Sequence, residues 1–253
     1  MRVTVCELLN DPATLEHQWQ RLTEHALKER SEFILLPEMP FASWPCADLG
    51  TGRQNEVWQA AIASHQQWCK RITALNLPVA LTQPVIDGGS RLNRACLIEG
   101  ERTIDAHDKY YLPDEEGFWE ASWYQRGDAC FDPVVLGDVS MGFLICTEVW
   151  AQEWARHYGK RGVNMILNPR ANYLEDKDIW QAGNRATAFV SGTYLLTSNL
   201  LPIDAEGVAN AWVISPDGDV LIETTAEQPF ATIDIDLQAS VEAKKSYPCY
   251  AVE

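Results

Sequence analysis

Three short apolar runs stop abruptly at polar residues or prolines. Phe33-Ile34-Leu35-Leu36 ends at Pro37-Glu38, Phe143-Leu144-Ile145 ends at Cys146-Thr147-Glu148, and Val163-Asn164-Met165-Ile166-Leu167 ends at Asn168-Pro169. Runs this short and continuous are what strands covered on both faces look like, and the segments between them carry a helical period instead. Leu15, Trp19, Leu22 and Ala26 share one helical face behind Asn10-Asp11-Pro12, which supplies an N-cap and a first-turn proline. Val57, Ala61, Trp68, Ile72 and Leu75 do the same over residues 54–75, and residues 151–160 and 179–190 read as two further helices. Strands alternating with helices make an α/β chain.

Hairpins are interleaved with these units. Asp87-Gly88-Gly89-Ser90 is a turn between a strand at residues 79–82 and an alternating stretch at 91–99; Glu99-Gly100 turns again, and residues 103–106 lead to Lys109. Residues 194–197 return as strand, and the last quarter is β, with strands at 211–214, 220–222 and 231–235 and a turn at Pro216-Asp217-Gly218. Strands of both directions are therefore expected in one α/β domain spanning residues 1–253, since no repeat or low-complexity linker divides the chain. Residues 110–130 carry few strand or helix signals but many aromatics, as a functional rather than disordered connection would.

Composition narrows the function. With 46% hydrophobic residues the chain can bury a sizeable core, and its net charge of −16 repels phosphate backbones and anionic membranes. Nucleic acid is a poor candidate partner, and no apolar run approaches membrane-spanning length. The seven cysteines are scattered, with no metal-ligand spacing, and the five histidines form no ligand-spaced pair, so neither a disulfide framework nor a metal site is expected. The Met1-Arg2-Val3-Thr4-Val5-Cys6-Glu7 start meets an acid before any signal-peptide core forms, which points to a reducing compartment, the cytoplasm.

Glu38, Lys109 and Cys146 each follow a predicted strand, and strand ends in such sheets gather at one edge, where ligands bind. A carboxylate, an ammonium and a thiol suffice for acyl transfer. Glu38 would take the thiol proton, Cys146 would attack a carbonyl or nitrile carbon, and Lys109 would stabilise the oxyanion. The helix start beside Cys146 would favour its thiolate. Taken singly, each has a plainer reading: Cys146 as a small core residue, Glu38 and Lys109 as solvated charges. His107 is the partner a papain-like Cys/His hydrolase would need. No Gly-x-Ser-x-Gly elbow, Walker loop or Gly-x-Gly-x-x-Gly after the first strand offers another enzyme class.

In order and spacing, Pro37-Glu38, Lys109-Tyr110-Tyr111-Leu112-Pro113 and Cys146-Thr147-Glu148-Val149-Trp150-Ala151-Gln152-Glu153 resemble the three signature segments of the nitrilase superfamily of carbon–nitrogen hydrolases. The resemblance continues through Asn168-Pro169, Asn184-Arg185-Ala186, Ser198-Asn199 and Ser215-Pro216-Asp217-Gly218, and so runs through nearly the whole chain. It implies a four-layer α-β-β-α sandwich with two mixed sheets, no metal or organic cofactor, a Glu-Lys-Cys triad working through a thioester, and a homodimer or larger homo-oligomer. It also implies a second glutamate between lysine and cysteine. The Lys-x-x-x-Pro-Asp-x-x-Gly-aromatic-x-Glu pattern of N-carbamoyl-amine hydrolases points to Glu120, with Glu116 the other candidate.

The flanks depart from the usual pattern at Asp108, Tyr111, Glu148 and Ala151-Gln152-Glu153, which leaves the triad but loosens any transfer of specificity. Trp119, Trp150 and Tyr173 are candidates to line the pocket, with core packing as their ordinary alternative. The acidic run from Asp114 to Glu120 would suit a cationic substrate amine, although such runs usually face water. The expectation is a hydrolase of a small non-peptide amide or N-carbamoyl compound. The alternatives are a strict nitrilase, or a catalytically silent binding or scaffold protein on the same fold.

Overall fold

The computed structural model describes residues 1–173, 176–203 and 209–251. Among these, twelve strands join into a single hydrogen-bonded sheet whose hinge is β1 (Arg2–Leu9). The first part of β1 pairs in parallel with β2 (Phe33–Leu35) and antiparallel with β12 (Phe230–Asp234), while Glu7, Leu8 and Leu9 pair in parallel with β9 (Tyr194–Leu201). From β2 the sheet continues through β3 (Val79–Asp87), β4 (Ser90–Glu99) and β5 (Arg102–Asp108). From β9 it continues through β8 (Met165–Ala171), β7 (Val139–Phe143) and β6 (Val134–Leu136), with β10 (Trp212–Ile214) and β11 (Val220–Glu223) branching from β9.

Strand direction is mixed for the expected reason: strands joined by tight turns, as in β3–β4–β5, run antiparallel, while β1–β2–β3 and β7–β8–β9 run parallel across helical connections. Where the sequence implied two sheets, the backbone ladder is continuous through β1, because its two ends bond to different neighbours.

Alternation along the strands separates two apolar clusters. Cys6, Ile34, Leu36, Val79 and Leu81 pack with Trp19 and Leu22 of α1 (Leu15–Lys28) and Ile72 of α2 (Gln54–Thr73). Val3, Val5, Phe33, Leu35 and Ala80 instead join Phe143, Leu167, Trp212 and Ile214 from the other half of the sheet. The same cluster takes in Tyr158 of α4 (Gln152–Lys160) and Ala188 of α5 (Lys177–Ser191).

Three local differences from expectation have simple causes. Asp11 caps a turn through Ala13 N (2.9 Å), so α1 starts at Leu15, beyond Pro12. A one-turn α3 (Glu120–Trp123) interrupts the long aromatic connection, and α6 (Leu237–Ala243), too short for a clear period, follows β12 with Asp236 accepting from Gln238 N at 3.0 Å. The run before Cys146 leaves the sheet at Phe143, two residues early, because the chain turns into a 3-10 helix at Cys146–Trp150 before α4 begins.

The position of that strand depends on Gly142. A Cβ there would lie 2.6 Å from the Tyr158 ring, and the Tyr158 hydroxyl both donates to Phe143 O (3.0 Å) and accepts from Phe143 N (3.1 Å). Gly142→Ala is expected to lower stability by about 1–3 kcal/mol through overpacking. Chemical denaturation checks this, and an unchanged midpoint would show that α4 can give way.

Candidate active site

Glu38 sits just beyond β2, where its backbone N–H reaches Arg170 O (3.4 Å) at the end of β8, and Met39 N is held by Thr82 Oγ1 (2.9 Å). Lys109 follows β5, its N–H bonded to Asn93 O (2.9 Å) on β4. Glu120 opens α3. The three side chains are fully buried and meet: Lys109 Nζ donates to Glu38 Oε1 at 2.8 Å and lies 2.7 Å from Glu120 Oε2. Asn93 Nδ2 also donates to Glu38 Oε1 (2.7 Å), and the Tyr124 hydroxyl donates to Glu120. Glu38 Oε2 has no hydrogen-bond partner among the described residues, which leaves a buried carboxylate oxygen free to take a proton.

Two acids share one cation here, and their environments set the charge. Burial opposes the charge on Lys109, but Glu120 and Glu38 outweigh it and hold the ammonium well above its ordinary pKa. Burial pushes Glu120 up to about 7, with Lys109 working against the shift and Glu38 adding to it. The cluster thus keeps Lys109 charged, with Glu120 titrating near neutrality.

Cys146 is 2% exposed and heads the 3-10 turn at φ 48°, a left-handed conformation that is uncommon for a residue with a Cβ. Its thiol donates to Ala171 O (3.7 Å) at the end of β8 and is within electrostatic reach of Glu38, Lys109 and Glu120. Burial, reinforced by Glu38, raises the thiol pKa despite Lys109. The expectation of a helix-stabilised thiolate is corrected: the resting group is a thiol, since a desolvated site beside carboxylates outweighs a short 3-10 turn.

Glu148, read from sequence only as a changed flank, holds this turn. Its carboxylate accepts from Ile145 N (2.8 Å), from Tyr110 N (2.7 Å) and from His107 Nε2 (2.8 Å), so one buried acid ties the residues beside Cys146 to those beside Lys109. His107 Nδ1 donates to Cys130 O (2.8 Å). Burial disfavours the charged imidazole, but Glu148 more than compensates and its pKa rises. Both ring nitrogens are engaged away from Cys146, which leaves the papain-like pairing without its base. Asn168 Nδ2 adds a bond to Cys146 O (3.1 Å).

A cavity of about 350 Å³ has Ala171, the acceptor of the Cys146 thiol, in its wall, while Cys146, Glu38, Lys109 and Glu120 themselves lie behind that wall and do not line it. Tyr173 lines it, together with Trp44 and Phe118, which the sequence did not single out. The other candidates lie elsewhere. Glu116 is exposed and off the wall, Trp119 packs near Met39 and Trp58, and Trp150 lies against Trp180 with ring centroids 5.4 Å apart. Asp114 and Glu115 are likewise exposed and off the wall. Among the described residues no three His, Cys, Asp or Glu side chains form a group able to hold a metal, and no helix is long and apolar enough to cross a membrane.

Comparison with known proteins places this geometry in context. Over 240 residues the chain is 28% identical to a 2-oxoglutaramate amidase of Bacillus subtilis (strain 168), covering 88% of this chain and 85% of that protein. It is 26% identical to an omega-amidase of Xenopus tropicalis over 65% of this chain and 63% of the relative. A glutamine-dependent NAD(+) synthetase of Rhodobacter capsulatus matches at 24% identity over 65% of this chain, and the match spans only 30% of that protein.

Among solved structures, a carbon-nitrogen hydrolase from Helicobacter pylori G27 superposes with a TM-score of 0.86 at 18% identity, covering 100% of this chain and 95% of that one. An amidase from Nesterenkonia sp. AN1, solved with acrylamide added at its active-site cysteine, superposes with a TM-score of 0.77 at 18% identity, covering 97% and 100%. The carbon-nitrogen hydrolase family matches residues 3–245, and the chain belongs to that family.

Proposed function

We propose that this enzyme hydrolyses a small non-peptide amide or N-carbamoyl compound, with Cys146 as nucleophile, Glu38 as general base and acid, Lys109 as oxyanion stabiliser and Glu120 as the second glutamate. The observation that carries the reading is the buried Glu38–Lys109–Glu120 contact, with Cys146 in electrostatic reach on a constrained turn. The amidase names of the relatives support it.

The resting thiol gives its proton to Glu38 Oε2 as sulfur bonds to the carbonyl carbon and the C=O π pair moves onto oxygen. Lys109, held charged by its two acids, stabilises that oxyanion in a buried site, where a fixed charge is worth more than in bulk solvent. The tetrahedral intermediate collapses as the C–N bond breaks, Glu38 returns its proton to the departing nitrogen, and a thioester remains. Water then attacks the thioester, giving a proton to Glu38, and as the C–S bond breaks to release the acid Glu38 passes that proton to the departing sulfur, restoring the thiol. Glu120, which titrates near neutrality, holds Lys109 and orients that water.

Three broader features follow from the same reading. The two apolar clusters support the four-layer α-β-β-α arrangement. The exposed Trp150, Ile179 and Phe189 beside the nucleophile support a homo-oligomeric contact there. Free cysteines throughout support a reducing compartment, read as cytoplasm.

Ammonia release from primary amides, ω-amidated dicarboxylates, N-carbamoyl amines and nitriles tests the reaction. Cys146→Ala is expected to cut turnover of the best substrate by more than about a thousandfold, whereas full turnover in that variant would refute the assignment.

A second outcome concerns pH. Glu120 and Glu7 both have folded pKa values raised to about 7 by burial, Lys109 opposing in one case and Arg170 in the other. Between their unfolded values and about 7 the folded state binds more protons than the unfolded, so their contribution to stability is lost as pH rises through that window. Melting temperature should therefore fall from pH 5 to pH 8, and Glu120→Gln should flatten part of that slope. A slope identical in the variant would remove Glu120 as a contributor.

A further inference from the structure

The wall of the cavity that reaches Ala171, the acceptor of the Cys146 thiol, is formed by Trp44, Phe118, Tyr173, Leu200, Leu201 and Ile203, among others, and no Lys, Arg, His, Asp or Glu lines it among the described residues. The wall's polar side chains besides the Tyr173 hydroxyl are neutral: Asn10, Ser43 and Asn172. Asn10 is already committed, donating to Ala42 O (2.7 Å) and accepting from Trp44 N (2.8 Å). Asn172 is different. It is 4% exposed, next in sequence to the carbonyl that holds the Cys146 thiol, and its Oδ1 has no partner among the described residues.

A carboxylate placed against such a wall would lose part of its hydration and find no countercharge among the described wall residues. The buried cation nearest in sequence, Arg170, is not on the wall. Its guanidinium stacks on Trp212 (4.5 Å), donates to Ala209 O (3.2 Å) and Asn210 O, and has Glu7 as its opposing charge. Glu115 and Glu116 are off the wall as well, so among the described residues a cationic substrate amine has no acid to meet on the wall.

We infer that the substrate presents a neutral, apolar group of about phenyl size to this cavity, with an amide N–H donated to Asn172 Oδ1, and that anionic half-amides of the kind for which the Bacillus subtilis relative is named are poor substrates here. This rests on the amidase reading of the same site and narrows it to arylalkyl and branched alkyl amides. A volume of about 350 Å³ is ample for such a group together with the chain that carries the amide. The aromatic wall matches it: Phe118 meets Tyr173 edge to face at 5.3 Å and Trp44 at 6.2 Å.

The test pairs turnover with binding. Wild-type kcat/KM is measured for phenylacetamide, succinamate and 4-aminobutanamide, and phenylacetamide binding to Cys146→Ala is followed by calorimetry. Phenylacetamide is expected to exceed both charged amides by at least about tenfold. Trp44→Ala should raise its KM with a smaller change in kcat, and Ile203→Lys at the exposed rim should narrow the gap to succinamate. Equal or better turnover of succinamate overturns this inference while leaving the hydrolase reading intact. Saturable binding of phenylacetamide without turnover of any amide by wild type overturns the hydrolase reading while supporting the apolar cavity. Absence of both binding and turnover of phenylacetamide overturns the inference.

Discussion

An ammonium with no access to water organises the centre of this protein. Burying Lys109 costs several kcal/mol unless its charge is met at close range, and Glu38 and Glu120 meet it at 2.8 and 2.7 Å. Two acids around one base leave an excess negative charge; burial, with Glu38 adding to it, raises Glu120 toward neutrality, and Asn93 and Tyr124 donate to the carboxylates. Burial, with the neighbouring Glu38 adding to it, likewise raises the Cys146 thiol. On the proposed reading the nucleophile is made at the moment of attack, when Glu38 accepts its proton, rather than stored as a thiolate.

Geometry of that kind needs the strand ends held in register, and a second buried acid does it. Glu148 bonds the backbone on both sides of the gap between β5 and the Cys146 turn, and His107 Nε2 donates to it. The positive φ at Cys146, of the sort that costs about 1–3 kcal/mol, persists because the chain on either side is fixed by these bonds and by Asn168. Glu148, one of the flank positions that depart from the resembled pattern, thus supplies an acid where the fold needs one.

Much of this was legible before any coordinates. Apolar runs that stop at Glu38 and Cys146, and the alternating segment that leads to Lys109, place each residue at a strand end, and short turns foretell the antiparallel pairs. Glu120 was legible only through its resemblance pattern, since an acid-rich loop offers no local sign of which acid turns inward. Asn93 and Tyr124 carried no signal, because a polar residue inside a strand and a tyrosine after a one-turn helix read as ordinary. Glu148 and His107 meet only through the strand and turn geometry that brings residues 41 positions apart together. The cavity was illegible for the same reason: its wall comes from the loops after β1, β2 and β8, the connection before α3 and the end of β9, and Trp119 and Trp150, which the sequence favoured, face other clusters.

The central claim is that acyl transfer passes through sulfur. Mixing the enzyme with a primary amide it turns over, quenching in acid within the first turnovers and reading intact and peptide masses tests it most directly. The account predicts a gain equal to the acyl group less one hydrogen, confined to the peptide that holds Cys146 and absent from Cys146→Ala. An acyl group trapped on any other residue, with Cys146 unmodified, would contradict it.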